Sequence, residues 1–330
     1  MKIAILDDYQ DAFRSLGLDR QLSGHDIGVF HDSVAGEQLV ARLADFDIAL
    51  LIQQRSRMPG SVIAKLPRLK LISQTGHNVS HIDVAACQER DIVVSAGGAG
   101  NAHATSELAW GLILAALRRI PQEAQRLADG LWMGPPMGIG LQGKTLGIYA
   151  YGRIGKLVAE VARAFEMQVI CWGREGSTER AKEAGFIVAA SREAFFAEAD
   201  VITLHLPLND HTRGLITLAD LTLMKPSALL VNTSRAEIIT PGALVAAMHL
   251  GRPGLAAVDV FEDEPVLGAH HPLIGLPNVL CTPHLGYAEA GRYRTLLGTG
   301  VAQIQAYLAG APINVLPVRG SPGGENMPLL

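Results

Sequence analysis

The sequence has little charge of either sign and no long apolar run. Only 18% of its 330 residues are charged, and the formal net charge is −4. This balance lacks the basic surface that nucleic-acid-binding proteins use, so we expect no nucleic-acid partner. The longest strongly apolar stretch, Leu108 to Leu117, is too short to cross a bilayer. We therefore expect no membrane partner either.

Cysteine is also scarce, and no export signal is evident. Cys87, Cys171 and Cys281 lack the spacing of metal ligands and lie in apolar surroundings, which predicts buried thiols in a reducing compartment. The segment from Met1 to Asp8 is typical of a strand followed by a turn, whereas a secretory signal has a longer apolar core. These features predict a cytoplasmic location.

Apolar residues, by contrast, make up 48% of the chain and alternate between strand and helix patterns. Buried strands are predicted at Lys2 to Leu6, Ile48 to Ile52, Lys70 to Ser73, Ile92 to Val94, Thr145 to Ala150, Val169 to Trp172, Val201 to Leu206, Ala228 to Val231, Leu255 to Val258 and Val279 to Cys281. Helices are predicted between them, for example at Arg153 to Phe165 and Ala243 to Met248. The pattern predicts an α/β fold with parallel sheets covered on both faces.

Two longer helices, Asn101 to Ile120 and Glu289 to Leu308, are predicted to connect two domains. The first domain is then discontinuous, formed by residues 1–100 plus 287–330, and residues 101–286 form a domain inserted into it. The polar segment from Gly320 to Asn326 is expected to be flexible.

Three polar residues follow three of the predicted strands. Arg235 comes after the strand that ends at Val231, Glu264 after the one that ends at Val258, and His284 after Cys281. Ligands of open α/β sheets bind beyond the carboxyl ends of the strands. A cation, a carboxylate and an imidazole in one cleft can bind an anion and move a proton.

A loop for a dinucleotide follows the strand at Thr145. It reads Ala150-Tyr151-Gly152-Arg153-Ile154-Gly155, with alanine in place of the usual first glycine. Gly152 lets the backbone approach the pyrophosphate and Gly155 lets the helix pack closely on the strand. We expect Ala150 to keep a negative φ, since only glycine adopts positive φ readily.

The end of the next strand indicates which dinucleotide binds. An acidic residue usually bonds the ribose 2′-hydroxyl of NAD there, but this chain has Gly173-Arg174. An arginine can accommodate the 2′-phosphate of NADP, and Ser177, Thr178 and Arg180 can add donors. NADP(H) is the preferred prediction, and NAD(H) with a solvent-exposed Arg174 is the alternative.

Together these motifs resemble the D-isomer-specific 2-hydroxyacid dehydrogenases, most densely from residue 76 to 287. The family includes glyoxylate/hydroxypyruvate reductases, phosphoglycerate dehydrogenases and formate dehydrogenases. The matching segments are Gly152-Arg153-Ile154-Gly155, His205-Leu206-Pro207 with Thr212, Asn232-Thr233-Ser234-Arg235, Asp259-Val260-Phe261 with Glu264-Pro265, and Thr282-Pro283-His284. The resemblance implies two Rossmann-like domains: a flavodoxin-like substrate domain and an inserted dinucleotide-binding domain.

The resemblance also implies roles for individual residues. Arg235 holds the substrate carboxylate and 2-keto oxygen, His284 is the general acid in reduction and the base in oxidation, and Glu264 orients the imidazole and favours its protonated form. The loop Gly76, His77, Asn78 and Val79 offers N–H groups to the substrate carboxylate. The cofactor is bound by Tyr151, Gly152, Arg153, Ile154, Gly155, Gly173, Arg174, His205, Leu206, Pro207, Thr212, Thr233, Ser234, Asp259, His284 and Gly286. The family also commonly pairs its cofactor domains, which predicts a homodimer.

Several departures from the family pattern leave the substrate open. Asn78 and Ala236 stand where the family usually has glycine, although Asn tolerates a left-handed backbone. His77 and His81 are four residues apart, but they lie in a predicted loop without a third ligand, so we predict no catalytic metal. A nucleotide-sensing regulatory protein on the same fold and a formate-dehydrogenase-like activity remain alternatives.

Overall fold

A computed structural model describes residues 1–98 and 100–317, and the segment from Gly320 to Asn326 lies outside the described residues. The chain falls into two compact units. Unit 1 comprises Met1–Gly100 and the segment from Glu289 onward, and unit 2 comprises Asn101–Ala288. A parallel sheet lies in each unit, which confirms the predicted α/β fold class.

The strands and helices alternate along both units. The strands are β1 Lys2–Ile5, β2 Asp26–Val29, β3 Ile48–Ile52, β4 Leu71–Thr75, β5 Val93–Gly97, β6 Thr145–Tyr149, β7 Gln168–Trp172, β8 Ile187–Val188, β9 Val201–Leu204, β10 Leu229–Asn232, β11 Leu255–Val258 and β12 Val279–Cys281. The α-helices are α1 Ala12–Ser15, α2 Glu37–Leu43, α3 Gly60–Ile63, α4 Val84–Gln88, α5 Ala102–Leu117, α6 Ile120–Ala128, α7 Arg153–Ala164, α8 Glu175–Glu183, α9 Arg192–Glu198, α10 Leu218–Leu223, α11 Ala243–Leu250 and α12 Ala290–Leu308. Short 3-10 helices cover Asp19–Leu22 and Ala236–Ile238.

The sheet of unit 1 has the strand order β2-β1-β3-β4-β5 over the described residues. Helix α12 packs against its central strands. The Ser73 hydroxyl donates to the carbonyl oxygen of Gly300 at 3.0 Å. A Cβ atom on Gly300 would stand 2.8 Å from Cδ1 of Leu50, so the helix approaches β3 too closely for a larger residue.

The sheet of unit 2 has the order β12-β11-β10-β9-β6-β7-β8, and apolar clusters cover both of its faces. On one face, the indole N–H of Trp110 in α5 donates to the carbonyl oxygen of Val158 at 3.3 Å. The other face contains the fully buried rings of Phe195 and Phe196. Strands buried on both sides explain why their sequences are continuously apolar.

Paired residues form one row across six strands of this sheet. In spatial order they are Cys281, Val258, Asn232, Leu204, Tyr149 and Trp172. Because neighbouring strands are parallel, the segments that follow this row all leave the sheet at the same edge. Each predicted cofactor or catalytic motif of unit 2 begins at this edge, which we call the carboxyl edge.

The sequence did not predict β2, β8 or α6. Strands β2 and β8 lie at sheet edges and are largely not buried, so they lack the apolar run that indicates an inner strand. The helix predicted from Asn101 to Ile120 ends at Leu117, and Arg119 at φ 56° separates it from α6. Left-handed backbone at a non-glycine residue has no clear signature in sequence.

No helix in the described ranges is long and apolar enough to cross a membrane. The described cysteines form no disulfide: Cys87 and Cys171 are buried, and Cys281 is half-buried. Burial raises the pKa of the Cys87 and Cys171 thiols to about 12 and that of Cys281 to about 11. The cytoplasmic location stays a prediction.

The amino end of β11 offers a test of close backbone packing in unit 2. A Cβ atom on Gly254 would lie 1.8 Å from the carbonyl oxygen of Pro226. We expect Gly254→Ala to destabilise the protein by about 3 kcal/mol, because backbone on both sides must shift. The measurement is the thermal unfolding midpoint.

A matched control lies in α5, where a Cβ atom on Gly111 would meet nothing within 4 Å. Gly111→Ala adds the same methyl group to an open helical position and should stabilise the protein by up to about 1 kcal/mol. Equal midpoints for the two variants would contradict the close packing at Gly254.

Candidate active site

The predicted acid–base pair meets at the carboxyl edge of unit 2. Nδ1 of His284 lies 2.6 Å from Oε2 of Glu264, and the other carboxylate oxygen accepts the backbone N–H of Phe261 at 2.9 Å. The carboxylate is therefore held at both oxygens. Because Nδ1 faces Glu264, Nε2 is the ring nitrogen left for proton exchange with a ligand.

The electrostatics of this pair favour a charged carboxylate. Burial alone would raise the pKa of Glu264, but the hydrogen bond and charge of His284 oppose it, aided by the Phe261 N–H and the charge of Arg235. The net effect lowers the pKa of Glu264 below its usual value. Glu264 therefore remains an anion at neutral pH and accepts the imidazole proton as a hydrogen bond.

Asp259 fixes the segment that carries His284. Its fully buried carboxylate accepts hydrogen bonds from the Thr282 hydroxyl at 2.6 Å and from the N–H groups of Leu285 and Gly286 at 2.7 and 2.8 Å. These bonds hold the chain on both sides of His284, which has a left-handed backbone with φ 52°. Burial outweighs these bonds and the charge of His284, so the pKa of Asp259 is raised.

Arg235 lies in a tight turn built by Asn232. The Asn232 amide accepts the N–H of Ser234 at 3.0 Å and donates to the carbonyl oxygen of Arg235 at 2.9 Å. The Ser234 hydroxyl donates to the Leu204 carbonyl on the neighbouring strand at 2.7 Å. The Arg235 guanidinium donates to the Ser234 carbonyl at 2.7 Å. The turn therefore fixes the backbone from which the cation extends.

The expectation for Ala150 is wrong. Its φ is +73°, in the left-handed region, so the loop keeps the backbone shape that a glycine would adopt more easily. The Ala150 N–H donates to the Trp172 carbonyl at 2.8 Å, and its carbonyl accepts the N–H of Gly152 at 2.9 Å. Two backbone hydrogen bonds thus hold the alanine in a conformation that it disfavours.

The rest of this loop fits the predicted roles of its glycines. A Cβ atom on Gly155 would lie 2.6 Å from the carbonyl oxygen of Ala150, so the helix and loop touch there. Beside Gly152, by contrast, the space within 4 Å is open. The N–H groups of Arg153 and Ile154 at the start of α7 have no hydrogen-bond partner among the described residues. These features suit a phosphate at this end of the helix.

The turn after β7 lies against this loop. Gly173 has φ +156°, and Arg174 is exposed at the start of α8. The Ser177 hydroxyl accepts the N–H of Tyr151 at 2.7 Å. The Tyr151 ring is only 3% exposed and packs on Phe186, so this residue can face a cofactor only through its backbone.

Near the carboxyl edge, the Thr233 hydroxyl and Nδ1 of His205 are buried and have no partner among the described residues. Burial lowers the pKa of His205 to about 3, so its ring is neutral, and Nε2 lies 3.1 Å from the Thr203 hydroxyl. Buried polar atoms normally have partners. Their position and hydrogen-bonding capacity fit the polar carboxamide of a nicotinamide.

In the segment after His205, the polar side chain of Thr212 bonds within its own loop. Thr212 is buried, and its hydroxyl donates to the Pro207 carbonyl at 2.6 Å and accepts the Asn209 N–H at 2.8 Å. Thr212 therefore shapes the loop, while Leu206 packs against the core of unit 2 and Pro207 is exposed. Gly286 is likewise internal: its carbonyl accepts the Thr105 hydroxyl at 2.9 Å.

The predicted substrate loop lies in unit 1, directly after β4. Gly76, at φ 109°, donates its N–H to the Gly97 carbonyl at 2.7 Å, so that N–H is not available to a ligand. The N–H groups of His77, Asn78 and Val79 have no partner within residues 1–98 and 100–317. Asn78 does not adopt positive φ; its side chain accepts the N–H of Ser80 at 2.9 Å.

The two histidines near this loop differ in environment. His77 is exposed, whereas burial lowers the pKa of His81 to about 4, and Nε2 of its ring lies 3.2 Å from Oε1 of Gln74. No group of three or more His, Cys, Asp or Glu side chains that could hold a metal occurs among the described residues.

Sequence reasoning missed the side-chain ties that fix these motifs. The motifs include Thr282 and Asn232 but do not predict their bonds to Asp259 and Arg235. The sequence indicates Ser177 as a phosphate donor, whereas in the structure its hydroxyl joins two loops. A polar residue one or two positions past a buried strand was the available signal, since such residues often bond to nearby backbone.

Comparison with known proteins identifies the family. The family model for the D-isomer specific 2-hydroxyacid dehydrogenase, NAD binding domain, matches residues 110–286. Glyoxylate reductase of Aeropyrum pernix is 39% identical over 76% of this chain and 77% of its own length. D-3-phosphoglycerate dehydrogenase of Methanocaldococcus jannaschii is 38% identical over 83% of this chain, but the match spans only 52% of that protein.

A solved structure is similar to this chain in fold and sequence over nearly its whole length. Phosphoglycerate oxidoreductase from Vibrio cholerae is 45% identical, with a TM-score of 0.90, and the match covers 94% of this chain and 100% of that one. Both the sequence and the structural similarity extend beyond the segment that the family model matches. The chain belongs to the D-isomer-specific 2-hydroxyacid dehydrogenase family.

Proposed function

We propose that the chain interconverts a 2-keto acid and a D-2-hydroxy acid, with NADP(H) preferred and NAD(H) as the second cofactor. The observation that carries the proposal is the 2.6 Å contact between His284 and Glu264 at the carboxyl edge of a dinucleotide-binding sheet. An imidazole held by a half-buried carboxylate is a typical general acid–base device. Unit 2 acts as the cofactor domain and unit 1 as the substrate domain.

Each residue of the trio has a defined task in this reaction. A nicotinamide bound at the carboxyl edge would supply the hydride in reduction and accept it in oxidation. Nε2 of His284 donates a proton to the carbonyl oxygen in reduction and removes it from the hydroxyl in oxidation. Glu264 stabilises the protonated imidazole. Arg235 binds the carboxylate and the 2-keto oxygen through its planar fork of N–H groups.

Other residues bind the two ligands. Gly152, Gly155 and the first turn of α7 hold the pyrophosphate, while Thr233 and His205 face the nicotinamide end. The N–H groups of His77, Asn78 and Val79 receive the substrate carboxylate. Two similar proteins carry the names glyoxylate reductase and D-3-phosphoglycerate dehydrogenase, so small 2-keto acids such as glyoxylate and hydroxypyruvate are the first substrates to test.

The assay follows NADPH oxidation with glyoxylate, hydroxypyruvate and phenylpyruvate. We expect turnover with at least one keto acid and a fall of about 10²–10⁴-fold in kcat for His284→Gln, since a positioned proton donor contributes about that much. Cofactor binding by His284→Gln, measured by NADPH fluorescence, should stay nearly unchanged. Tight cofactor binding without turnover would favour the nucleotide-sensing role. Reduction of NADP⁺ by formate would favour the formate-dehydrogenase-like activity.

Glu264→Gln serves as the companion variant, because it keeps the shape of the side chain and removes its charge. The His284 imidazole then loses its charge-assisted hydrogen bond, so kcat should fall by about tenfold, while the binding of NADPH should stay nearly unchanged. A kcat equal to that of the wild type would contradict the role of Glu264.

Arg174 is the residue that we expect to bind the 2′-phosphate of NADP(H). It is exposed after β7, at the position where NAD enzymes usually carry an acid. We expect Arg174→Asp to reverse the ratio of kcat/KM for NADPH and NADH, because it replaces an attractive charge with a repulsive one. An unchanged ratio would refute the NADP preference drawn from this position.

The homodimer is proposed from an exposed apolar segment of unit 2, residues 120–137, which we call the apolar arm. Helix α6 within it buries no residue. Exposed large side chains in the arm are Ile120, Leu127, Leu131, Trp132, Met133 and Met137, and Met137 is 92% exposed. Contiguous apolar surface of this kind marks an interface, and a second copy of the chain is the proposed partner.

Sedimentation equilibrium tests this interface. The double variant Leu127→Ser with Trp132→Ser should weaken self-association, because it removes two apolar anchors from the arm. Leu250→Ser is the control, since Leu250 is 63% exposed but lies outside the arm. A dimer that resists the double variant, or a wild type that is monomeric, would refute the proposal.

A further inference from the structure

Arg180 reaches from α8 back to the phosphate-binding loop. Its Nε and Nη2 atoms donate to the carbonyl oxygen of Tyr151 at 3.4 and 3.3 Å. Its Nη1 atom lies 3.6 Å from the place where a Cβ atom on Gly176 would stand. The guanidinium therefore lies between the loop after β6 and the first turn of α8, next to the segment Gly173-Arg174.

A second side chain of α8 joins the same two segments. The Ser177 hydroxyl accepts the Tyr151 N–H at 2.7 Å, and a Cβ atom on Gly173 would stand 3.1 Å from that hydroxyl oxygen. Ser177 and Arg180 thus hold Tyr151 by its N–H and its carbonyl. The two hydrogen bonds from Arg180 to the Tyr151 carbonyl place its cation beside the loop.

The charge of Arg180 is available to a ligand. Its partner is a neutral carbonyl, and among the described residues neither Arg180 nor Arg174 forms an ion pair, although Glu175 and Glu179 lie on the same helix. A guanidinium has five N–H donors, so several remain after the contact with one oxygen. Arg163 differs, because it donates to Glu160 and lies 4.0 Å over the ring of Phe186.

We infer that Arg180 is a second specificity residue for NADP(H), which binds the 2′-phosphate together with Arg174. The inference rests on the proposed preference for NADP(H). In this arrangement Arg174 approaches the phosphate from the end of β7, and Arg180 approaches it from the side of the phosphate-binding loop. Two guanidinium groups suit a doubly charged phosphate better than one.

The test measures binding of cofactor fragments, so that it does not depend on turnover. Isothermal titration compares adenosine 2′,5′-bisphosphate with adenosine 5′-monophosphate, which differ only in the 2′-phosphate. For Arg180→Gln we expect about tenfold weaker binding of the bisphosphate, as for loss of one charge-assisted hydrogen bond, and less than about twofold change for the monophosphate. Glutamine retains a donor for the Tyr151 carbonyl.

Two controls separate charge from loop structure. Lys182→Gln removes one positive charge from an exposed position of the same helix and should leave both ligands unaffected. Ser177→Ala removes the bond to the Tyr151 N–H without a change of charge and should weaken the monophosphate as well as the bisphosphate. Equal weakening of both ligands by Arg180→Gln would make Arg180 a loop clamp only and overturn the inference.

The outcomes also distinguish this inference from the proposed function. If the wild type binds both fragments equally, the NADP(H) preference fails, and the role of Arg180 fails with it. If the wild type prefers the bisphosphate and Arg174→Gln loses that preference while Arg180→Gln keeps it, only the inference about Arg180 fails. Loss of preference in both variants supports the two-arginine site.

Discussion

The hydrogen-bonded register of the parallel sheet in unit 2 is the constraint on which the candidate site depends. Six strands share one row of paired residues, so the chain leaves each of them at the same level. The ladder continues one step further: the N–H groups of Ala150, His205, Asp259 and Thr282 each donate to a carbonyl on a neighbouring strand at 2.8 to 3.0 Å. Residues far apart in sequence are thereby brought to one edge by backbone bonds alone.

At this edge, the half-buried carboxylate of Glu264 and the fully buried carboxylate of Asp259 differ in their electrostatics. For Glu264, the hydrogen bond and charge of His284 outweigh burial, and the pKa falls. For Asp259, burial outweighs three hydrogen bonds, and the pKa rises. Glu264 therefore suits the stabilisation of a proton on the imidazole, whereas Asp259 suits the fixing of backbone around it. The proposed proton transfer needs both, because a loosely held imidazole would not face the substrate oxygen.

The sequence predicts most of this arrangement from two features: short apolar runs that indicate strands, and polar motif residues that directly follow them. Inner strands such as β3 and β11 are short apolar runs, and the sequence predicts their bounds as the structure has them. The motif residues follow those strands directly, so their common edge could be inferred from topology. The edge strands β2 and β8 lack such runs, and the side-chain ties of Ser177 and Arg180 to Tyr151 depend on the distance between two turns, which no local pattern encodes.

The conformation of Ala150 shows why composition predicts such turns poorly. An alanine with positive φ costs about 1–2 kcal/mol, which argues against it when the residue is considered alone. The cost is offset here because the same geometry lets Ala150 donate to Trp172 and accept from Gly152. His284 is in the same situation at φ 52°, where bonds from Leu285, Gly286 and Thr282 to Asp259 hold the turn. In both turns, hydrogen bonds to other segments stabilise the left-handed backbone conformation. The intrinsic preference of the residue at the turn therefore does not decide the conformation.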